Sequence, residues 1–398
     1  MNSVTSSGIR PESTAAARWG AVVAMMLGVF SLVTAEFLPV SLLTPMARDL
    51  AISESLAGQA ISTTALFAIA SSLLVPSVTR HLDRRHVLLG FTTLLIVANL
   101  SVALAPSFEF LLMGRVLLGV ALGGFWAMST AVVMRLVPPE QLARGLSITV
   151  SGVAAAMLFA GPIASYLGYL TSWRTVFLAG AVLGILVFIV QYATLPSLPT
   201  TGQSSLGTLF RVLGRPRVKS GLLAALLIFG GHLALFAYIR PYLEQVDGVS
   251  IGVLSTVLLL FGIANYAGTW IAGALPRPVF DRLMSGAPLL MGLVAISLSV
   301  LPVGPALIAA LTIVWGLAFG TVPPTWSGWV AETVPDEAES AGGLLVAVIN
   351  IAIASGAGIG GLILSRGDIH DVFSFGAVAL LLATTLVMTV IRRVPRLN

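Results

Sequence analysis

Twelve apolar stretches, each roughly 20 residues long, follow one another from residue 19 to residue 391, separated by short polar turns except at one longer break in the middle. They are read at 19–43, 55–79, 86–104, 110–133, 143–169 and 174–194, then at 221–243, 249–275, 284–302, 305–330, 339–364 and 371–391. A run of that length matches the hydrocarbon core of a bilayer, and only a helix satisfies all of its own backbone hydrogen bonds there. The expected fold is therefore an all-α membrane protein with twelve transmembrane helices.

Charge supports this. Only 9% of the 398 residues are charged, against about 25% in ordinary globular proteins. Such a chain cannot cover a soluble surface, and twelve spans leave no room for a soluble domain. There is no cysteine, which excludes a disulfide framework, a thiolate metal site and a cysteine nucleophile. The high pI of about 10.1 would suggest nucleic acid in a soluble protein. Here topology accounts for it: with a cytoplasmic N-terminus, sixteen of the 21 Lys/Arg lie inside, Arg48, Arg174, Arg240 and Arg366 lie outside, and Arg115 lies in the membrane. The positive-inside rule then puts both termini in the cytoplasm. Arg10, Arg18 and the small residues Val33-Thr34-Ala35 resemble a signal peptide. Its removal would leave an odd number of spans, so the first span is expected to be retained.

Residues 195–220 are the long polar interruption, with three prolines and the cluster Arg211, Arg215, Arg217 and Lys219. The expected organisation is a tail at 1–18, a first six-helix bundle at 19–194, a linker at 195–220, a second bundle at 221–391 and a tail at 392–398. Within the linker, Thr208–Leu213 is expected to form a short helix on the inner membrane surface. The bundles resemble each other. Leu66–Ser71 (LFAIAS) aligns with Leu260–Asn265 (LFGIAN), Val116–Gly123 with Ile313–Gly320, and Pro39 with Pro241, at offsets of about 194 to 202 residues.

Charges inside apolar spans are costly and generally functional, which singles out Glu36 in span one and Arg115 in span four. Each lies about 8 to 10 Å from the outer end of its span at 1.5 Å per residue, so the two are expected at similar depth. Burial raises a carboxyl pKa and a nearby guanidinium lowers it. A change in their separation or hydration would then change proton affinity; a permanent brace between two helices is the competing reading. Trp126 and Phe125 offer planar faces for an aromatic ligand or ordinary packing. His232, Asn265 and Asn350 are polar groups within spans of the second bundle that require partners, either substrate or neighbouring helices. Trp315 and Trp326 are similarly open. Trp126 and Asn350 are expected at matching depth and so as a pair of contacts from the two halves.

Gly152, Gly161 and Pro162 in span five form G-x8-G-P, and Gly114-Arg115 with Gly119 forms an arginine-bearing motif. These resemble motifs of the major facilitator superfamily, specifically its proton-coupled drug and metabolite exporters, across all twelve spans. The segments EFLPVSLLTPMA (Glu36–Ala47), GGFWAMS (Gly123–Ser129), MRLVPP (Met134–Pro139) and YIRP (Tyr238–Pro241) are similar to purine ribonucleoside efflux pumps. Sugar and chloramphenicol-type exporters share Glu36 and Arg115. The loop Leu82-Asp83-Arg84-Arg85-His86 departs from the superfamily pattern by lacking its glycines.

The resemblance implies a monomeric bacterial inner-membrane antiporter that exchanges protons, carried by Glu36, for a small polar molecule such as inosine or guanosine, with no cofactor. Sugar or drug efflux is the alternative. Neither paired carboxylates nor a metal-ligand cluster points to an enzyme, and no charged ring points to a channel. No nucleic-acid motif is present. Pro323-Pro324 and the glycines at 356, 358, 360 and 361 are read as helix bends and close packing. The acidic loop with Glu332, Asp336, Glu337 and Glu339 is expected to be solvated or to contact basic loops.

Overall fold

A computed structural model describes residues 17–52, 54–199, 206–244, 251–301 and 304–391; both tails beyond these limits lie outside the described residues. The first half contains α1 (Trp19–Asp49), α2 (Glu54–Val78), α3 (Arg84–Ala103), α4 (Phe108–Leu136), α5 (Leu142–Leu170) and α6 (Trp173–Thr194). A short α7 (Leu206–Gly214) follows in the linker. The second half contains α8 (Pro216–Glu244), α9 (Ile251–Ala274), α10 (Arg277–Val300), α11 (Pro305–Thr333), α12 (Ala338–Leu364) and α13 (Ile369–Leu386). Twelve of these helices are long and apolar enough to cross a membrane.

The helix ends follow local chemistry. Asp83, Ser107, Ser172 and Asp368 accept hydrogen bonds from the first turns of α3, α4, α6 and α13, meeting backbone donors that have no intrahelical partner. Pro216 and Pro305 begin α8 and α11, where a missing N–H is harmless. Several helices extend past their apolar stretches. Most notably, α10 starts at Arg277 rather than 284, and α8 takes in residues 216–220 that the sequence assigns to the linker. The linker helix is real and slightly longer than the expected Thr208–Leu213.

Small residues allow helices to touch backbone to backbone, which is how apolar helices pack when lipid is the solvent. Gly119 and Gly123 on α4 lie against the Thr64 and Ala68 carbonyls of α2. In the second half Gly316 and Gly320 on α11 lie against the Phe261 and Asn265 carbonyls of α9. A single sequence offset relates all four contacts, so the internal repeat is present in the packing. It also corrects one alignment: Asn265 occupies the place of Ala68, not of Ser71, so the LFAIAS and LFGIAN strings match by composition three residues out of register.

The halves meet at the end that carries the linker. Gly342 and Gly343 near the start of α12 approach the Ala127 and Ser72 carbonyls, and Gly273 of α9 approaches Ser147 of α5. Leu73 packs against the core of the second half and Ala331 joins that of the first. An ion pair between Arg84 and Glu339 crosses the same seam. This end is sealed.

Candidate functional site

Arg115 is 1% exposed, yet its guanidinium binds main chain rather than a carboxylate. Nε donates to the Ala60 carbonyl at 3.0 Å, Nη1 to the Ala35 carbonyl at 2.9 Å and Nη2 to the Glu36 carbonyl at 3.1 Å. One of these acceptors is created by the sequence. The Ala35 carbonyl would ordinarily receive the N–H four residues on, but that residue is Pro39, which has none. Arg115 supplies the missing donor. Thr64 Oγ1 completes the join, 3.1 Å from the Ala60 carbonyl and 3.3 Å from that of Arg115. Thus α1, α2 and α4 are tied together at one buried cation.

Arg115 therefore reaches Glu36 through the main chain of Glu36, not through its carboxylate. Among the described residues the ion pairs are Arg84–Glu339, Arg174–Asp49 and Arg215–Asp336, and the Glu36 carboxylate belongs to none. It is half-buried, feels the charge of Arg115 and has no side-chain hydrogen bond among the described residues. Glu36 lies 17 residues into α1 from the sealed end, about 26 Å at the helical rise. It is thus in the half of the protein away from the seal.

The other candidates separate into two groups. Phe125 is fully buried, its ring seated in the notch at Gly28 of α1; it belongs to the core of the first half. Trp126, the next residue around α4, is half-buried at the edge of that core. Asn350 and Asn265 are also half-buried. The Asn350 amide donates to the Val346 carbonyl of its own helix at 2.9 Å, leaving its oxygen for another partner. The expected equal depth of Trp126 and Asn350 is not found. Because Gly342 faces Ala127 and the helices run antiparallel, Asn350 lies roughly 10 Å further from the sealed end than Trp126.

His232 and Trp315 form a unit. Trp315 Nε1 donates to His232 Nδ1 at 3.1 Å, and His232 stacks on Phe319 with ring centroids 3.4 Å apart. Phe236 and Phe261 complete the cluster. His232 and Trp315 are buried, whereas Phe236 and Phe319 are half-buried. Sequence reasoning missed these two phenylalanines. Their signal was spacing, since each lies one helical turn from a polar aromatic already singled out. Trp326 is buried against Trp329. Gly152 packs against the Met26 carbonyl of α1. Gly161 and Pro162 fall within α5, but their side chains lie outside the described residues, as do those of Arg240 and Pro241.

A multi-pass fold of two six-helix halves, sealed at one end and with a carboxylate beyond the seal that joins no ion pair among the described residues, is the architecture of a transporter. The Major Facilitator Superfamily pattern matches residues 25–345, and the chain belongs to that family. It is 40% identical over 395 residues to the purine ribonucleoside efflux pumps NepI of Salmonella paratyphi C and Salmonella typhimurium, covering 99% of this chain and all of each relative. Among solved structures, the proton:xylose symporter XylE superposes with a TM-score of 0.77 at 15% identity, over 94% of this chain and 96% of that one. The transporter FucP in its outward conformation gives 0.76 at 14%, over 92% and 97%. These two establish the fold alone.

Proposed function

We propose that this protein exports purine ribonucleosides such as inosine or guanosine in exchange for protons across the bacterial inner membrane, with both termini in the cytoplasm. The substrate assignment rests on the full-length similarity to the nucleoside pumps. Proton coupling rests on one observation, that Arg115 spends its donors on three carbonyls and the nearby Glu36 carboxylate has no bonded partner among the described residues. A carboxylate locked in a bidentate ion pair would resist titration; this one is free to gain and lose a proton as its hydration changes.

In this reading, substrate and proton occupy the space between the halves in turn, and the seal opens on one side as it forms on the other. Trp126 offers a face for the base. Asn350, further toward the open end, offers an amide to the ribose or base edge. Their axial separation suits a ligand with two parts, a base and a sugar, better than a free pentose. Phe236 and Phe319 offer aromatic surface from the second half, with His232 and Trp315 fixing their positions. Phe125 is left to packing. The protein works as a monomer and needs no cofactor.

The test is transport in everted membrane vesicles with an imposed proton gradient. Inosine should accumulate when the interior is acid and should cease to do so when the gradient is collapsed. Accumulation that survives collapse would refute proton coupling, and accumulation of pentoses or chloramphenicol without nucleosides would refute the substrate.

A further inference from the structure

The linker helix α7 is held to the protein by one face only. Thr208, Leu209 and Val212 are buried, the latter two in the core of the second half, while Phe210 is 76% exposed and Arg211 and Leu213 are also exposed. The segment lies directly before Pro216, where the seventh membrane-spanning stretch begins. An exposed aromatic thus lies six residues before the start of that stretch.

The charge around it is unbalanced. Arg215 pairs with Asp336 through two hydrogen bonds of 3.1 and 2.7 Å, and Glu337 lies within electrostatic reach of Arg211 and Arg215. Arg217 and Lys219 form no ion pair among the described residues. The Arg217 Nε is buried without a hydrogen-bond partner. Arg211, next to Phe210 in the chain, likewise joins no ion pair among the described residues.

We propose that α7 and the first turn of α8 form a docking surface for anionic phospholipid headgroups of the leaflet on the linker side, with Phe210 set among the acyl chains and Arg211, Arg217 and Lys219 gathering phosphate. An aromatic flanked by basic residues on a helix in the membrane plane is the arrangement that binds such a surface. Each cation near it adds a favourable increment that falls off with salt. A zwitterionic headgroup cancels that increment with its own positive charge.

Gly214 is the place to measure this, because a side chain there meets nothing within 4 Å and the chain has no cysteine of its own. A fluorophore on Gly214→Cys in the full-length protein would report quenching by nitroxide-bearing phosphatidylglycerol or phosphatidylcholine, at equal mole fraction in nanodiscs. At low salt, the anionic lipid should quench about two-fold more strongly, with parity restored at about 0.5 M salt. The preference should also vanish on adding Arg211→Gln, Arg217→Gln and Lys219→Gln, with Arg215 left on Asp336. Equal quenching by the two lipids at low salt overturns the proposal, as does a preference that persists in the triple variant. If that variant fails to fold, the salt titration of the otherwise unsubstituted chain decides.

Discussion

Arg115 donates to the Ala35 carbonyl at 2.9 Å, and the residue four positions on, Pro39, has no N–H to give that carbonyl. A proline that would weaken α1 thereby fixes the position of a buried cation, and the cation makes the proline tolerable. The two residues should then be energetically coupled. Hydrogen bonds to a charged group are worth about 1.5–3 kcal/mol each. Arg115→Gln should lower the melting temperature of the purified protein by several degrees. In a Pro39→Ala background the new N–H can take the Ala35 carbonyl, so the same substitution should cost about 1 kcal/mol less. An identical cost in both backgrounds would show that Arg115 and Pro39 act independently.

Glu36→Gln should abolish gradient-driven export while leaving inosine binding measurable. The amide keeps the shape of the side chain but cannot cycle a proton, and no ion-pair partner of Glu36 among the described residues is left stranded by the change. Expression and melting temperature should stay near those of the unsubstituted protein. Normal export by this variant in everted vesicles would remove Glu36 from the proton path.

The seal can be loosened sterically. A side chain at Gly343 would collide with the Ser72 main chain across the seam, and backbone cannot rotate out of the way. Gly343→Val should shift the population toward the state open at the linker end. Labelling of Ser147→Cys, which is 2% exposed in the sealed form, by a membrane-impermeant maleimide should then speed up severalfold. Unchanged labelling together with unchanged transport would mean that the glycine contact does not govern the equilibrium.

Much of this was legible before the structure, and the failures have physical causes. Span positions follow from hydropathy alone, and the depths of Glu36 and Arg115 follow from helical rise. The Ala35–Pro39 relationship was also readable, because it is a spacing of four within one helix. Phe125 and Trp126 were inseparable because neighbours on a helix point about 100° apart, and nothing in the sequence says which direction faces the core. The depth of Asn350 relative to Trp126 depends on the register between α12 and α4, which is set by the Gly342–Ala127 contact across the two halves. The misaligned repeat reflects how easily one apolar string resembles another.

Asp83 gives a pH signature. Burial alone would raise its carboxyl, but hydrogen bonds from Ser197 Oγ, the Leu198 N–H and the Arg85 N–H outweigh this and hold its pKa below the ordinary value. Since the folded pKa is depressed, the stabilisation is fully present above the unfolded value of about 3.9. It is lost as pH falls through the folded one. The melting temperature should therefore drop more steeply on acidification from about pH 5 to pH 3 than it does in Asp83→Asn. Parallel curves would show that Asp83 does not anchor residues 197 and 198 to the α2–α3 turn.

The substrate reading predicts a ratio. A planar base can stack on Trp126, and base stacking on an aromatic side chain is worth about 1–3 kcal/mol in nucleic-acid sites. Inosine should therefore bind about 5- to 150-fold more tightly than ribose, which can use only hydroxyl contacts such as those open to Asn350. Trp126→Ala should erase most of that advantage by weakening inosine while leaving ribose unchanged. Because Trp126 sits at the edge of the first-half core, a packing defect would instead weaken both ligands and lower the melting temperature. Equilibrium binding of inosine, ribose, arabinose and chloramphenicol to both proteins at one pH separates these outcomes. Clear binding of chloramphenicol or a pentose with no binding of inosine would overturn the nucleoside assignment and leave the fold and the Glu36 site standing.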